Sequence, residues 1–208
     1  LTWFRELEAF CNNFERNVIA TRDVILKSNE NVLLEHDVCV TLLTSQSITA
    51  FLDENPQLST QLKIEHLNSR ILSRLENELM GKEIQYSPEE KKALTRFYRQ
   101  YFGPKKWKYS TYGIYSDFLK SQEKKYGTVF PYDAEAPDLY DLAALAYIYK
   151  RTKENDPIKE AHHVVIDEAQ DFGMMAYMSL HYCMRGCTYT IMGDVAQNIH
   201  YEHGLNDW

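Results

Sequence analysis

The chain has 208 residues, 44% of them hydrophobic and 25% charged, with a formal net charge of -7. That composition belongs to a folded chain with room for one large domain or two small ones, and it excludes a disordered segment. No apolar run reaches the length of a membrane span, no basic-then-apolar leader opens the chain, and four cysteines in this length make no disulfide framework. A cytoplasmic protein with reduced thiols and no membrane partner is therefore expected. The first residue is Leu1 and not Met, which predicts a processed or excised piece. Charge is unevenly placed: residues 1–60 carry -5, 61–130 carry +6 and 131–208 carry -8. Overall acidity gives no reason to expect nucleic acid, but the basic middle third gives a local one.

Trp3, Phe4, Leu7, Phe10, Cys11, Phe14 and Val18 recur at helical spacing, so the chain opens on an amphipathic helix whose aromatic stripe reads as core packing. Asp23–Lys27 and Asp37–Leu43, rich in Val, Leu and Ile, predict two short extended segments. Thr44 or Ser45 can cap a helix to about Glu54, which Pro56 interrupts. Leu58 to Met80 is the longest helical pattern, with Ile64, Leu67, Ile71, Leu75 and Leu79 on one face and Gly81 as its stop. Ser87-Pro88-Glu89-Glu90 is a capping box with proline at the first helical position, predicting a helix to Phe102 before Gly103-Pro104. Tyr112–Tyr126 and Leu139–Arg151 are two more helical patterns, separated by the turn-rich stretch 127–137. The division is drawn there: 1–130 mostly helical, 131–208 of a different kind.

From Ile158 the pattern becomes strand, helix, strand. His163-Val-Val-Ile166 is an apolar run read as a strand buried on both faces, Gly173–Met184 as a helix, and Thr188-Tyr-Thr-Ile-Met192 as a second strand. A helical crossover between two strands makes them parallel. Two strands are too few for a stable open sheet, so the rest of the sheet is expected from elsewhere.

The chemistry is concentrated where these strands end. Asp167 and Glu168 follow the first without a gap, and Gly193-Asp194-Val-Ala-Gln197 follows the second. In open α/β sheets ligands bind at the carboxyl ends of strands. Phosphoryl transfer from a nucleotide needs Mg²⁺, which takes one or two carboxylates and keeps its waters, and a group to orient the attacking water. An Asp followed at once by Glu can divide those tasks. The competing reading is a strand that ends in solvated acids.

Val164-Val-Ile-Asp-Glu-Ala-Gln-Asp171 resembles motif II, the Walker B element, of UvrD/Rep-type superfamily 1 helicases. Thr190-Ile-Met-Gly-Asp-Val-Ala-Gln-Asn-Ile199 resembles their motif III. Tyr140-Asp-Leu-Ala-Ala-Leu-Ala-Tyr-Ile-Tyr149 is similar to the helix ahead of motif II in the HelD-type branch, the helicase-like ATPases that bind bacterial RNA polymerase. The resemblance carried by motifs covers about residues 138–208. It implies an α/β fold: a mainly helical, 1B-like insertion over 1–130 and a partial RecA-like parallel βαβ unit of a P-loop motor domain over 131–208. It implies ATP and Mg²⁺ as cofactors, with DNA or bacterial RNA polymerase and the remaining motor domains as partners. By the same resemblance Asp167 coordinates Mg²⁺, Glu168 polarises the hydrolytic water and Gln197 contacts the γ-phosphate. Gln170, Asp171 and Asp194 support the nucleotide site.

Two departures shape the expectation. The phosphate-cradling GxxxxGKT/S loop is absent, since Gly81-Lys82 has Glu76 and Glu83 at the flanking positions, so the piece is expected to be inactive alone. After Gln197 the family's base-stacking Trp is replaced by Glu202, with His200 and His203 beside it, which argues against ordinary strand translocation. Cys183, Cys187 and His181 lack a second ligand pair at zinc spacing. The other candidate surface runs from Lys91 to Lys108, seven basic residues without an acid among Phe97, Tyr98, Tyr101, Phe102 and Trp107. Lys92, Arg96 and Arg99 share one helix face there, suited to a nucleic-acid backbone or to polymerase. Its competing reading is a solvated face over a core face. A motor component and a helical binding module without catalysis of its own both stay open.

Overall fold

The computed structural model describes residues 2–27, 39–81, 85–102, 110–154, 158 and 161–194. The fold is mixed α/β and mostly helical, with two small sheets. Contacts divide it into two compact units, 14–108 and 1–13 with 109–208, so the first helix, α1 (Thr2–Val18), crosses from one to the other. The stretch 127–137 expected to separate two domains lies inside the second unit.

In the unit 14–108, β1 (Val24–Lys27) and β2 (Cys39–Leu43) pair antiparallel, with a register shift between Val24 and Ile25. Thr44 closes β2 and caps α2 (Ser45–Glu54) by accepting the Ser47 N–H, which supplies an acceptor to an otherwise unpaired first-turn donor. α3 (Thr60–Met80) starts two residues later than its apolar pattern, because Ser59 takes the cap. α4 (Pro88–Tyr98) has the expected capping box, with Ser87 and Glu90 each accepting the other's backbone N–H. It ends at Tyr98, short of Phe102, where the chain turns so that the Phe102 N–H reaches Asn68 Oδ1. The core joins Ile19, Val24, Leu26, Ile48, Leu67, Ile71, Leu75 and Phe102. Beside it Lys63, 1% exposed, puts Nζ 2.8 Å from Glu15 Oε1, and Thr60 donates to Glu15 Oε2. A buried charge is tolerable when paired and hydrogen-bonded in this way.

In the other unit, α5 (Thr111–Tyr126) ends on Gly127, whose φ of +68° suits glycine. α6 (Leu139–Thr152) opens with a capping box between Asp138 and Asp141. Asp141 also accepts the Tyr115 hydroxyl at 2.7 Å, and burial pushes that phenol up, so Tyr115 stays a donor. α1 contributes Trp3 and Phe10 against Phe118, and Phe4 against Tyr147. The strand-helix-strand expectation stands: β3 (His163–Ile166), α7 (Met174–Cys183) and β4 (Thr188–Ile191), with β3 and β4 parallel and His163 opposite Thr188. Burial on both faces does not. His163, Val165, Thr188 and Thr190 share an exposed face, while Val164, Ile166 and Tyr189 are covered to differing degrees. The described helices that pack in this region, α6 and α7, pack on one another, and Tyr147 of α6 meets Tyr182 of α7. Among the described residues no helix is long and apolar enough to cross a membrane.

Candidate functional site

Backbone pairing brings the ends of β3 and β4 together. The Met192 N–H donates to Ile166 O, and the Ala169 N–H donates back to Met192 O. The parallel ladder therefore continues past the strands and holds the 167–171 loop beside the turn at 193–194. A short 3-10 turn, Ala169–Asp171, follows, tied by the Asp171 N–H to Glu168 O. Tyr177 of α7 donates its hydroxyl to Ala169 O at 2.6 Å, and burial raises that phenol, which keeps the donor in place. Sequence pattern gave no sign of Tyr177's part, since a tyrosine on a helix reads as packing.

Asp167 and Glu168 are exposed at the strand's carboxyl end, an exposure shared by ligand-facing acids and by solvated ones. Asp167 Oδ1 accepts the Glu168 N–H at 2.9 Å, which orients the carboxylate. Glu168 has φ +50°, the one left-handed non-glycine residue described. Such a backbone costs on the order of 1–3 kcal/mol and persists where the surroundings hold it. Gln170 is buried, 2% exposed, and bonded at both ends: Nε2 donates to Glu168 Oε2 at 2.8 Å, and Oε1 accepts the Asp194 N–H at 2.9 Å. The side chain of Asp194 is exposed. Asp171 Oδ1 is buried with no hydrogen-bond partner among the described residues, a carboxylate oxygen that one further donor would satisfy. Five of the six expected site residues, Asp167, Glu168, Gln170, Asp171 and Asp194, thus fall in one cluster. Gln197 lies outside the described residues, as do His200, Glu202 and His203.

Asp167 is exposed with its Oδ1 oriented by the Glu168 N–H, and among the described residues no group of three or more His, Cys, Asp or Glu side chains is placed to hold a metal ion. An apolar hollow of about 500 Å³ adjoins the cluster, walled by Leu139, Leu142, Val165, Leu180 and Met184, with Asp167 on its wall. His163, at the start of β3, contacts Thr188 Oγ1 at 2.6 Å and Thr190 Oγ1 at 3.0 Å, which ties the two strands together.

The second candidate surface is on α4. Lys91, Lys92, Thr95, Arg96 and Arg99 line a hollow of about 350 Å³. The cations are exposed, Tyr98 is buried, and Leu94 and Tyr101 are half-buried, in keeping with the expected division of faces. Phe97 departs from it: the ring is 62% exposed. Gly103, Pro104 and Trp107 lie outside the described residues.

The chain matches no protein-family model, and no curated protein matches it.

Proposed function

We propose that residues 163–194 are the Walker B and motif III half of an ATP-hydrolysing motor of the superfamily 1 kind, a partial RecA-like unit whose phosphate-gripping loop lies outside these 208 residues. The observation that carries the reading is the strand-end cluster: two exposed acids on the carboxyl end of a parallel strand, linked through Gln170 to the turn after the neighbouring strand. Asp167 would hold Mg²⁺, which when bound offsets phosphate charge. Glu168, set at a fixed angle by its left-handed backbone and by Gln170, would accept a hydrogen bond from the attacking water and orient it. Asp171 and Asp194 add negative charge around that position, and Gln197 is the proposed γ-phosphate contact.

The test uses a chain that also carries the phosphate loop. Glu168→Gln should leave ATP binding intact and lower kcat by about 10²-fold or more. Asp167→Ala should remove Mg²⁺-dependent turnover. The 208-residue chain alone should show no Mg²⁺-dependent hydrolysis. Activity there that Glu168→Gln abolishes would overturn the half-site proposal.

A second reading is supported by the hollow on α4. The unit 14–108 would act as a binding module for DNA, RNA or polymerase, with Lys92, Arg96 and Arg99 meeting a polyanion and Phe97 exposed beside them.

A further inference from the structure

We infer that Gln170 is a positioning residue that couples the carboxylate of Glu168 to the Gly193–Asp194 turn. The proposal rests on the nucleotide-hydrolysis reading for its purpose, but its geometry stands apart from that reading. A primary amide has one accepting and one donating end, and the two are not interchangeable. The Asp194 N–H can only donate, so it takes Oε1; the Glu168 carboxylate can only accept, so it takes Nε2. Flipping the amide would set oxygen against carboxylate and NH₂ against N–H. One orientation therefore satisfies both partners, and the amide that joins them is itself buried between two exposed residues, Glu168 and Asp194.

The two partners belong to different strands. Glu168 follows β3, and Asp194 follows β4. Glu168 sits at φ +50°, a backbone that surrounding contacts must hold, so its carboxylate direction responds to what Gln170 does. The turn reaches Gln170 because residue 193 is glycine. A Cβ at Gly193 would stand 2.5 Å from Gln170 Oε1 and 2.8 Å from Ala169 N. A displacement of the 193–194 turn, such as a ligand at the end of β4 would cause, pulls Oε1 and loosens Nε2 from Glu168. Contact at one strand end is thereby felt at the carboxylate on the other, without the ligand touching Glu168.

The coupling is measured in the 208-residue chain without nucleotide, by native-state hydrogen exchange at the Asp194 amide. Glu168→Ala, which removes the partner of Nε2, should speed that exchange roughly three- to tenfold, the worth of one hydrogen bond. Gln170→Leu should speed it at least as much, and the double variant should match Gln170→Leu alone. Gln170→Glu keeps an oxygen for the Asp194 N–H but sets a carboxylate against Glu168, so the coupling predicts faster exchange there too, while unchanged exchange at the amides of α6 separates loss of the bond from loss of the fold. An Asp194 amide indifferent to Glu168→Ala, or effects of the two changes that multiply, would overturn the coupling. In a chain that carries the phosphate loop, Gln170→Leu should lower kcat about tenfold or more while KM for ATP moves less than about twofold, with no further loss in a Glu168→Gln background. If Glu168→Gln abolishes turnover and Gln170→Leu does not, the positioning role fails and the ATPase reading stands. If Glu168→Gln leaves turnover intact, the ATPase reading fails and the exchange result still decides the coupling.

Discussion

Gly193 has no side chain because there is no room for one. Its φ lies outside the left-handed region, so the constraint is space and not backbone freedom. The two atoms nearest an added Cβ are both committed: Ala169 N donates to Met192 O, and Gln170 Oε1 accepts from Asp194 N. Ala169 N is backbone, and Gln170 Oε1, though a side-chain end, moves only by giving up the Asp194 N–H. Gly193→Ala should therefore cost about 1–3 kcal/mol, the usual penalty of overpacking, seen as a lower urea midpoint together with loss of protection at the Asp194 amide. Unchanged stability and protection would mean that the turn has slack the geometry denies. At this scale the sequence was informative about which residues gather and silent about how. Asp167, Glu168, Gln170 and Asp194 stood out as motif positions, but nothing in their order says that one buried amide bonds to both halves. The Lys63–Glu15 pair was likewise invisible, because Lys63 sits next to Ile64 in a helical pattern where a lysine reads as solvated.

Among elements, the helices were readable where a cap and an apolar stripe agree. Ser87 with Glu90, Thr44, and Gly127 all end or start helices where their chemistry requires. Tertiary demands moved the rest. α4 stops at Tyr98 because Asn68 draws the Phe102 backbone into the core, and β3 leaves one face open although its apolar run suggested two covered ones. The seam between α1 and α5 yields a pH prediction. Glu6 of α1 accepts hydrogen bonds from the Tyr126 hydroxyl and Lys125 Nζ at the end of α5. Those donors, Tyr126 foremost, hold its carboxyl below the ordinary carboxylate range. With the folded value depressed, the contact's stabilisation is complete above the unfolded carboxylate pKa of about 4.3 and is lost as pH falls through the lowered value. Lys125 is largely exposed, so the effect is modest. Glu6→Gln should lower Tm at pH 7 by no more than about 4 °C, and the gap from the parent chain should close below about pH 4. A gap that does not narrow as pH falls below the ordinary carboxylate range would assign the loss to packing and not to charge.

For the whole molecule, the uneven charge of the sequence becomes a local surface. The net charge of -7 opposes binding to a polyanion, yet Lys91, Lys92, Arg96 and Arg99 stand together along one hollow of α4. Sequence alone placed Lys92, Arg96 and Arg99 on one helix face, and the structure adds Lys91 to the hollow. It did not place the division between units, because α5 packs against α6 and the N-terminal part of α1 joins them, contacts between segments far apart in the chain. Whether the hollow meets nucleic acid is decided by salt. Each phosphate neutralised contributes a slope of about -0.7 to -0.9 in log K against log salt, so three engaged cations give roughly -2 to -3. Reversing Lys92, Arg96 and Arg99 to Glu should abolish low-salt binding of single-stranded DNA or RNA by the full chain, or flatten that slope by about the same amount. Phe97→Ala should weaken binding without changing the slope, since stacking releases no counterions. The two signatures separate backbone neutralisation from base stacking. If wild type and triple variant bind alike at low salt, the cations of α4 form a solvated face. If only RNA polymerase capture falls on reversal, the same face is a protein contact and the polyanion reading is withdrawn.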